Sequence, residues 1–252
     1  MQQVLAHRRL QPRLGTRKLY ELIQPDIGRD AFFKLLREDG LLIRRKRYRL
    51  RTTFSSHRFR KYPDLRRYLV PERPEQLWVS DITYLRIKQD FAYLSLVTDA
   101  YSRKIIGFEV SHDLSTDNCL HALEMALNTR LTNESLIHHS DRGTQYCSQA
   151  YTQILNEKGI AISMTQSGNP RDNAIAERVN GILKMELLKE NYDNINTAYI
   201  AVKKAINTYN TSRPHSSLDM LTPDKAHLKT GTLKRRWRNY YSVKETEVTM
   251  NV

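Results

Sequence analysis

Three acidic residues have the types and placement to hold a divalent cation. Asp81 lies mid-way along the β-forming run WVSDITYL, flanked by Val79, Ile82 and Tyr84. Aspartate is disfavoured in strands, so such a position needs a reason. Asp141 closes the apolar run SLIHHSD where DRGTQY begins, and Glu177 falls in the first turn of a helical stretch, with 35 residues between them. Carboxylates from a central strand, an adjacent strand end and a helix can converge on one or two hard cations. Oxygen ligands with open positions suit magnesium or manganese rather than zinc. Each acid alone has a plainer use. Asp81 could cap a turn or pair with an arginine, Asp141 could be a turn aspartate before Arg142-Gly143, and Glu177 complements a helix dipole. Asp99, before Ser102, is assigned to a turn. The metal reading rests on the constellation of the other three.

The elements that must position these acids follow from hydrophobic period. LWVSDITYLRI, FAYLSLVTDA and KIIGFEV are rich in β-branched and aromatic residues and are separated by Lys88-Gln89-Asp90 and Ser102-Arg103-Lys104, which predicts an antiparallel meander. A helix over 117–130 follows, with Leu120, Leu123, Ala126 and Leu127 on one face. Next come a strand at 135–141, a helix near 148–158 and a strand at 160–165. The loop QSGNPRDN then leads into a long helix over 174–190, and a further helix spans 197–209. This is an α/β layered domain.

Charge divides the chain. Residues 1–75 carry 20 Lys and Arg against 8 Asp and Glu, whereas 76–230 carry 16 against 17. Arginine, whose planar fork suits phosphate oxygens, dominates from Arg44 to Arg73. Short helices are expected at 16–23 (Leu19, Leu22 and Ile23 on one side) and 29–38 (Phe32, Phe33, Leu35 and Leu36 toward a core). Arg29, Lys34 and Arg37 stay outside, and Gly40 ends the second helix. Followed by LLIRRKRYRL, they fit a small helix-turn-helix unit whose second helix reads DNA. The expected organisation is a helix-turn-helix domain at 1–55, a basic linker at 56–75, a catalytic domain at 76–230 and a basic aromatic tail at 231–252. In the tail, Trp237, Tyr240 and Tyr241 could stack on DNA, although a packing strand is the favoured use.

Composition narrows the class. The formal net charge of +14 over 252 residues favours a polyanionic partner. No apolar run approaches the roughly 18 residues of a membrane span, and MQQVLAHRRL lacks the apolar centre of a secretory signal. Two cysteines, Cys119 and Cys147, without CxxC spacing, argue against a disulfide framework or structural zinc. A cytosolic, nucleic-acid-associated protein is expected.

Four separated blocks, WVSDITYL, VTDAYSRKIIGFEVS, HHSDRGTQYCS and SGNPRDNAIAERVNGILKMEL, closely resemble the retroviral-integrase-like transposases, in particular the OrfB product of the IS-three family of bacterial insertion sequences. The upstream GLLIRRKR and downstream YNTSRPHSSLDMLTP also match, so the likeness covers roughly residues 14–228. The resemblance implies a ribonuclease-H-like domain, α/β with a mixed five-stranded sheet, preceded by a small all-α helix-turn-helix domain. It implies a catalytic and metal-binding triad of Asp81, Asp141 and Glu177, with two magnesium ions about 4 Å apart for which manganese would substitute. Asp81 would bridge both ions, and no covalent enzyme–DNA intermediate is expected. Lys184, seven positions beyond the glutamate and so within roughly 20° of it on a straight helix, would hold a DNA phosphate, with Ile175, Val179 and Ile182 facing the core. Arg178, Arg29, Lys34, Arg37, Arg44, Arg45 and Arg47 are further candidate DNA contacts. The loop from Ser167 to Asn173 matches the family's substrate-contacting segment, and His138, His139 and Ser140 take supporting or structural roles.

The implied activity is metal-dependent strand cleavage and strand transfer at element ends, with integration into target DNA. Implied partners are terminal inverted repeats, target DNA, further copies of the chain, and an upstream-frame OrfA portion that frameshifting would join to it. Two alternatives stand beside this: a non-catalytic DNA-binding regulator, which the intact triad argues against, and a ribonuclease-H-like nuclease, which the helix-turn-helix argues against.

Overall fold

The computed structural model describes residues 1–43, 58–88, 90–166 and 170–234. Arg44, Arg45 and Arg47, the tail aromatics Trp237, Tyr240 and Tyr241, and the loop positions 167–169 lie outside the described residues. Helices α1 (Gln2–Leu10), α2 (Thr16–Ile23) and α3 (Arg29–Glu38) precede strands β1 (Leu77–Ile87), β2 (Asp90–Asp99) and β3 (Ile105–Ser111). Then follow α4 (Thr116–Asn128), β4 (Ile137–Ser140), α5 (Thr144–Cys147), α6 (Gln149–Glu157) and β5 (Ala161–Met164). A 3-10 turn (Pro170–Asn173) leads into α7 (Ala174–Ile182), and α8 (Ile195–Ser212) and α9 (Pro223–Ala226) complete the order.

Among the described residues the strands form one mixed sheet, ordered β3-β2-β1-β4-β5. The meander runs antiparallel, turned at Lys88 (φ 47°) and Arg103 (φ 62°), while β4 runs parallel to β1 and β5 parallel to β4. Alternation along β1 feeds both faces. Trp78 packs with Cys119, Ala122, Leu123 and Ala126 of α4 and with Tyr151 and Leu155 of α6. On the opposite side, Leu94, Leu96 and Phe108 pack with Val179 and Ile182 of α7 and Val202, Ile206 and Tyr209 of α8. Helices therefore cover both faces, as a sheet with two apolar faces requires. Asp99 is fully buried and accepts the backbone N–H groups of Glu75 and Ser102 and the Ser102 hydroxyl, the turn role expected of it. Cys119 and Cys147 are buried free thiols. No helix among the described residues is long and apolar enough to cross a membrane.

Several expectations need correction. The N-terminal unit has a helix, α1, that the sequence pattern does not reveal, because only Val4 of its residues is buried. Leu22 and Leu35 are 37% and 39% exposed. Helices this short bury a narrow stripe, with Leu19, Phe32 and Leu36 in the core and Ile23 packed against it. The expected linker is a packed strap over residues 58–74. Met164 donates its N–H to the Pro63 carbonyl at 3.2 Å, and Leu65 N–H donates to Ser163 Oγ at 2.9 Å. The long helix expected over 174–190 is α-helical only to Ile182 and continues as a single π turn, Leu183–Leu187.

Gly107 on β3 lies so close to α4 that a Cβ would run into the Ala122 carbonyl, whereas Gly181 in α7 faces open space. Gly107→Ala is expected to cost at least about 1–3 kcal/mol in chemical denaturation. Gly181→Ala should gain up to about 1 kcal/mol, since alanine loses less backbone freedom in a helix.

Candidate active site

Asp81 and Asp141 are brought level by strand register. β1 and β4 run parallel with Leu77 opposite Ile137, Trp78 opposite His138 and Val79 opposite His139. The pairing stops at Val79 and His139 and β4 ends at Ser140; carried on by two residues, the same offset directs Asp141 toward Asp81, whose carboxyl feels its charge. Asp141 leaves the strand in a tight turn, its Oδ1 accepting the Gly143 N–H at 2.9 Å. Its plainer turn role and its place beside Asp81 thus coexist.

Helix α7 lies on the face of β1 that carries the odd-numbered residues. Ala176 packs with Leu77 and Val79, Asn180 Nδ2 donates to Asp81 Oδ2 at 2.7 Å, and Lys184 Nζ donates to Thr83 Oγ1 at 3.0 Å. The two periods agree: four helical residues advance about 6 Å, and two strand residues about 6.6 Å. Positions 176, 180 and 184 therefore track 79, 81 and 83. Glu177 is next to this contact stripe and exposed on the first turn of the helix. The turn before it is tied down by Asn173, whose Nδ2 donates to the Ser80 carbonyl at 2.9 Å.

Burial and crowding set the electrostatics. Burial first, and then the charges of Asp141 and Glu177, push the Asp81 carboxyl from its ordinary value of 3.8 up to about 7, against the opposing hydrogen bond from Asn180. Burial also raises Glu177. Asp81 thus feels both other carboxyl groups, yet among the described residues no three Asp, Glu, His or Cys side chains are drawn together as a closed metal cage.

Lys184 lies beside the acids, as helical period leads one to expect. It turns to β1 with Asn180, its ammonium 4.2 Å above the Tyr84 ring. Burial lowers its pKa and Asp81 opposes that shift. Arg178 is exposed, and its charge is felt at Lys18 and Glu186. Arg29, Lys34 and Arg37 are exposed on α3, with Arg29 paired to Asp30 and Lys34 to Glu38. Behind the acids, His138 is fully buried, its Nε2 2.8 Å from Ser80 Oγ and 3.0 Å from Tyr151 OH. Burial pushes its pKa down to about 3, so the ring is neutral and supports the strand. Sequence reasoning missed Asn173 and Asn180. The available signal for Asn180 was an amide beside Val179, on the side of the helix expected to be apolar.

Asp81→Asn removes a carboxyl that is harder to ionise folded than unfolded. Asp81 stabilises the fold fully below pH 3.8, and that contribution is lost as pH rises through about 7. The variant's gain in melting temperature over the parent is therefore expected to grow across this window and level off above it. A gain independent of pH would contradict the assignment.

Models described as integrase core domain match residues 71–170 and 158–223. The chain is 35% identical over 225 residues to the insertion element IS600 uncharacterized 31 kDa protein of Shigella sonnei, covering 87% of this chain and 83% of that protein. It is 33% identical over 216 residues to the transposase for insertion sequence element IS629 of Shigella sonnei, covering 84% and 73% respectively. Among solved structures it resembles in fold the simian T-cell lymphotropic virus intasome in complex with PP2A regulatory subunit B56 gamma. That likeness has 17% identity and a TM-score of 0.52, covering 92% of this chain and 77% of that one. The sheet order with helices on both faces is that of the ribonuclease-H-like integrase core, and sequence identity of this extent places the chain among the insertion-sequence transposases that carry an integrase core domain.

Proposed function

We propose that Asp81, Asp141 and Glu177 are the catalytic and metal-binding acids of this transposase and that they hold two magnesium ions, for which manganese substitutes. The observation that carries this reading is geometric: β4 runs parallel beside β1 with Val79 opposite His139, two residues short of both aspartates, and Asn180 of the Glu177 helix bonds Asp81 at 2.7 Å. The donor set suits the ion: hard carboxylate oxygens, mutually repelling, with Asp81 in need of a compensating cation. Bound magnesium would supply Lewis-acid activation of water or a DNA 3′-hydroxyl and neutralise charge on the leaving oxygen.

The chain's own residues orient the acids. Asn180 orients the Asp81 carboxyl through Oδ2; the Asp141 turn is held through Gly143; and Asn173 anchors the entry to the Glu177 helix. Lys184 and Arg178 contact DNA phosphates, Lys184 by exchanging its Thr83 and Tyr84 contacts for a phosphate oxygen. The substrates are the element's terminal inverted repeats and target DNA, bound by several copies of the chain, with an OrfA portion joined upstream, in the bacterial cytoplasm. The N-terminal unit, with α2 and α3 as a helix-turn-helix, reads DNA through Arg29, Lys34 and Arg37. Arg44, Arg45 and Arg47 are proposed to extend that interface.

Asp81→Asn, Asp141→Asn and Glu177→Gln are each expected to lower magnesium-dependent cleavage of element-end DNA by roughly a thousandfold or more, with DNA affinity retained. Undiminished cleavage by Asp141→Asn would refute the triad. In a salt titration of binding to element-end DNA, each of Arg29→Ala, Lys34→Ala and Arg37→Ala should reduce the slope of log K against log salt by about 0.9 for every phosphate the side chain neutralises. An unchanged slope in all three variants would remove α3 from the interface.

A further inference from the structure

The strap that crosses the sheet carries one arginine turned inward. Tyr62, Asp64 and Arg66 are partly buried, whereas Pro63 and Leu65 between them and Lys61 and Arg67 on either side are exposed, the alternation of a segment laid on a surface. The Arg66 side chain is only 25% exposed and its guanidinium reaches three elements at once. Its NH2 stands 3.5 Å from Asp64 within the strap and 3.5 Å from Asp172 in the turn before α7. Its Nε stands 3.1 Å from His139 Nε2 on β4. His139 Nε2 is also 3.0 Å from the Asp172 carbonyl, and its Nδ1 is 2.8 Å from Ser163 Oγ on β5. Whichever ring nitrogen bears the proton, Nε2 makes a hydrogen bond, to the carbonyl or from Arg66. The strap is itself fastened to β5 through Pro63 and Leu65.

His139 lies two residues before Asp141, and Asp172 lies five before Glu177. Arg66 therefore joins the strand that delivers one acid to the turn that delivers another. A guanidinium suits this place, because its planar fork can serve a carboxylate and a ring nitrogen together, which an ammonium cannot. We propose that Arg66 is a positioning residue for strand cleavage. From outside the catalytic domain's own strands and helices it clamps the Glu177 turn against the end of β4, and so sets the separation of Glu177 from Asp141. This inference rests on the assignment of the acidic triad above.

The test uses the full chain, with Arg66→Ala, Arg66→Lys, Asp172→Ala and the Arg66/Asp172 double alanine variant. Three readouts are taken: cleavage rate at saturating element-end DNA, DNA affinity in calcium, and manganese binding followed by electron paramagnetic resonance of the free ion. A misplacement of about 1 Å can cost a hundredfold in rate. Arg66→Ala is accordingly expected to lose about 10- to 100-fold in cleavage at saturating DNA. Manganese binding should weaken severalfold and DNA affinity change by less than about twofold. Arg66→Lys should recover part of the rate, and Asp172→Ala should add no loss in the Arg66→Ala background, because the two residues act as one unit.

Partly exposed ion pairs stabilise folds little, so the variants should stay folded. If Arg66→Ala does lower the folded fraction, Arg66→Gln, which keeps a donor toward His139, is measured per folded molecule instead. The proposal is overturned by any of three results: parental cleavage and manganese binding in a folded Arg66 variant, a loss that follows DNA affinity alone, or additive losses in the double variant. Failure of the triad itself has a different signature, since Asp81→Asn and Glu177→Gln would then leave manganese binding unchanged whatever Arg66 does.

Discussion

A carboxyl group in the middle of the central strand, with two more acids brought up beside it, is the constraint to which the rest of the catalytic domain answers. Asp81 is penalised by burial and by its neighbours' charge, and hydrogen bonds from Asn180 and the Ile82 backbone offset only part of that. A fold optimised for stability alone would place an apolar residue here. On the proposed metal-binding role, the same crowding creates demand for a multivalent cation, which would bring positive charge to the place where DNA phosphates arrive. The near-neutral balance of residues 76–230, in a chain of net charge +14, is consistent with this division of labour.

Holding such a group in place calls for rigid surroundings, and these come from the agreement of helix and strand periods. Because α7 and β1 advance in step, Ala176, Asn180 and Lys184 each meet a β1 residue on the same face. The π turn begins at Leu183, as this register is being completed. Lys184 stays on the sheet, while Glu186, two residues on, forms a two-pronged pair with the buried Arg213 at 2.8 and 2.9 Å. Two residues of helical advance turn these side chains to nearly opposite sides, so one turn meets two separate anchoring demands.

Glu186 also meets the N-terminal unit. Lys18 of α2 stands 3.8 Å from it, Gln11 donates to the Ser212 carbonyl at 3.0 Å, and Arg13 to that of Met185 at 3.4 Å. Burial and the charge of Arg213 push Lys18 down to about 8, against the pull of Glu186. The small helical unit is thus seated on the turn that follows the catalytic helix, with the basic face of α3 left outward.

Much of this was legible in one dimension. The ranges of α2, α3 and β1 follow from period and punctuation, and the three acids stand out because aspartate in a strand, an acid at a strand end and an acid in a first helical turn are each local anomalies. Pattern readings succeed there because side-chain alternation and helical period are properties of neighbouring residues. What the sequence could not determine was which partners those residues meet. That Asn180 holds Asp81, that Lys184 turns to Thr83, that the basic linker is a strap, and that Arg66 reaches His139 and Asp172 all depend on pairings between residues far apart in the chain. Such pairings are decided by how layers stack and which strands lie side by side, and no period in the chain encodes them. The sequence by itself determined most of the elements and singled out the acids. The tertiary structure decided the register of α7 on β1 and of β4 beside β1, because only packing converts three separate anomalies into one shared electrostatic problem.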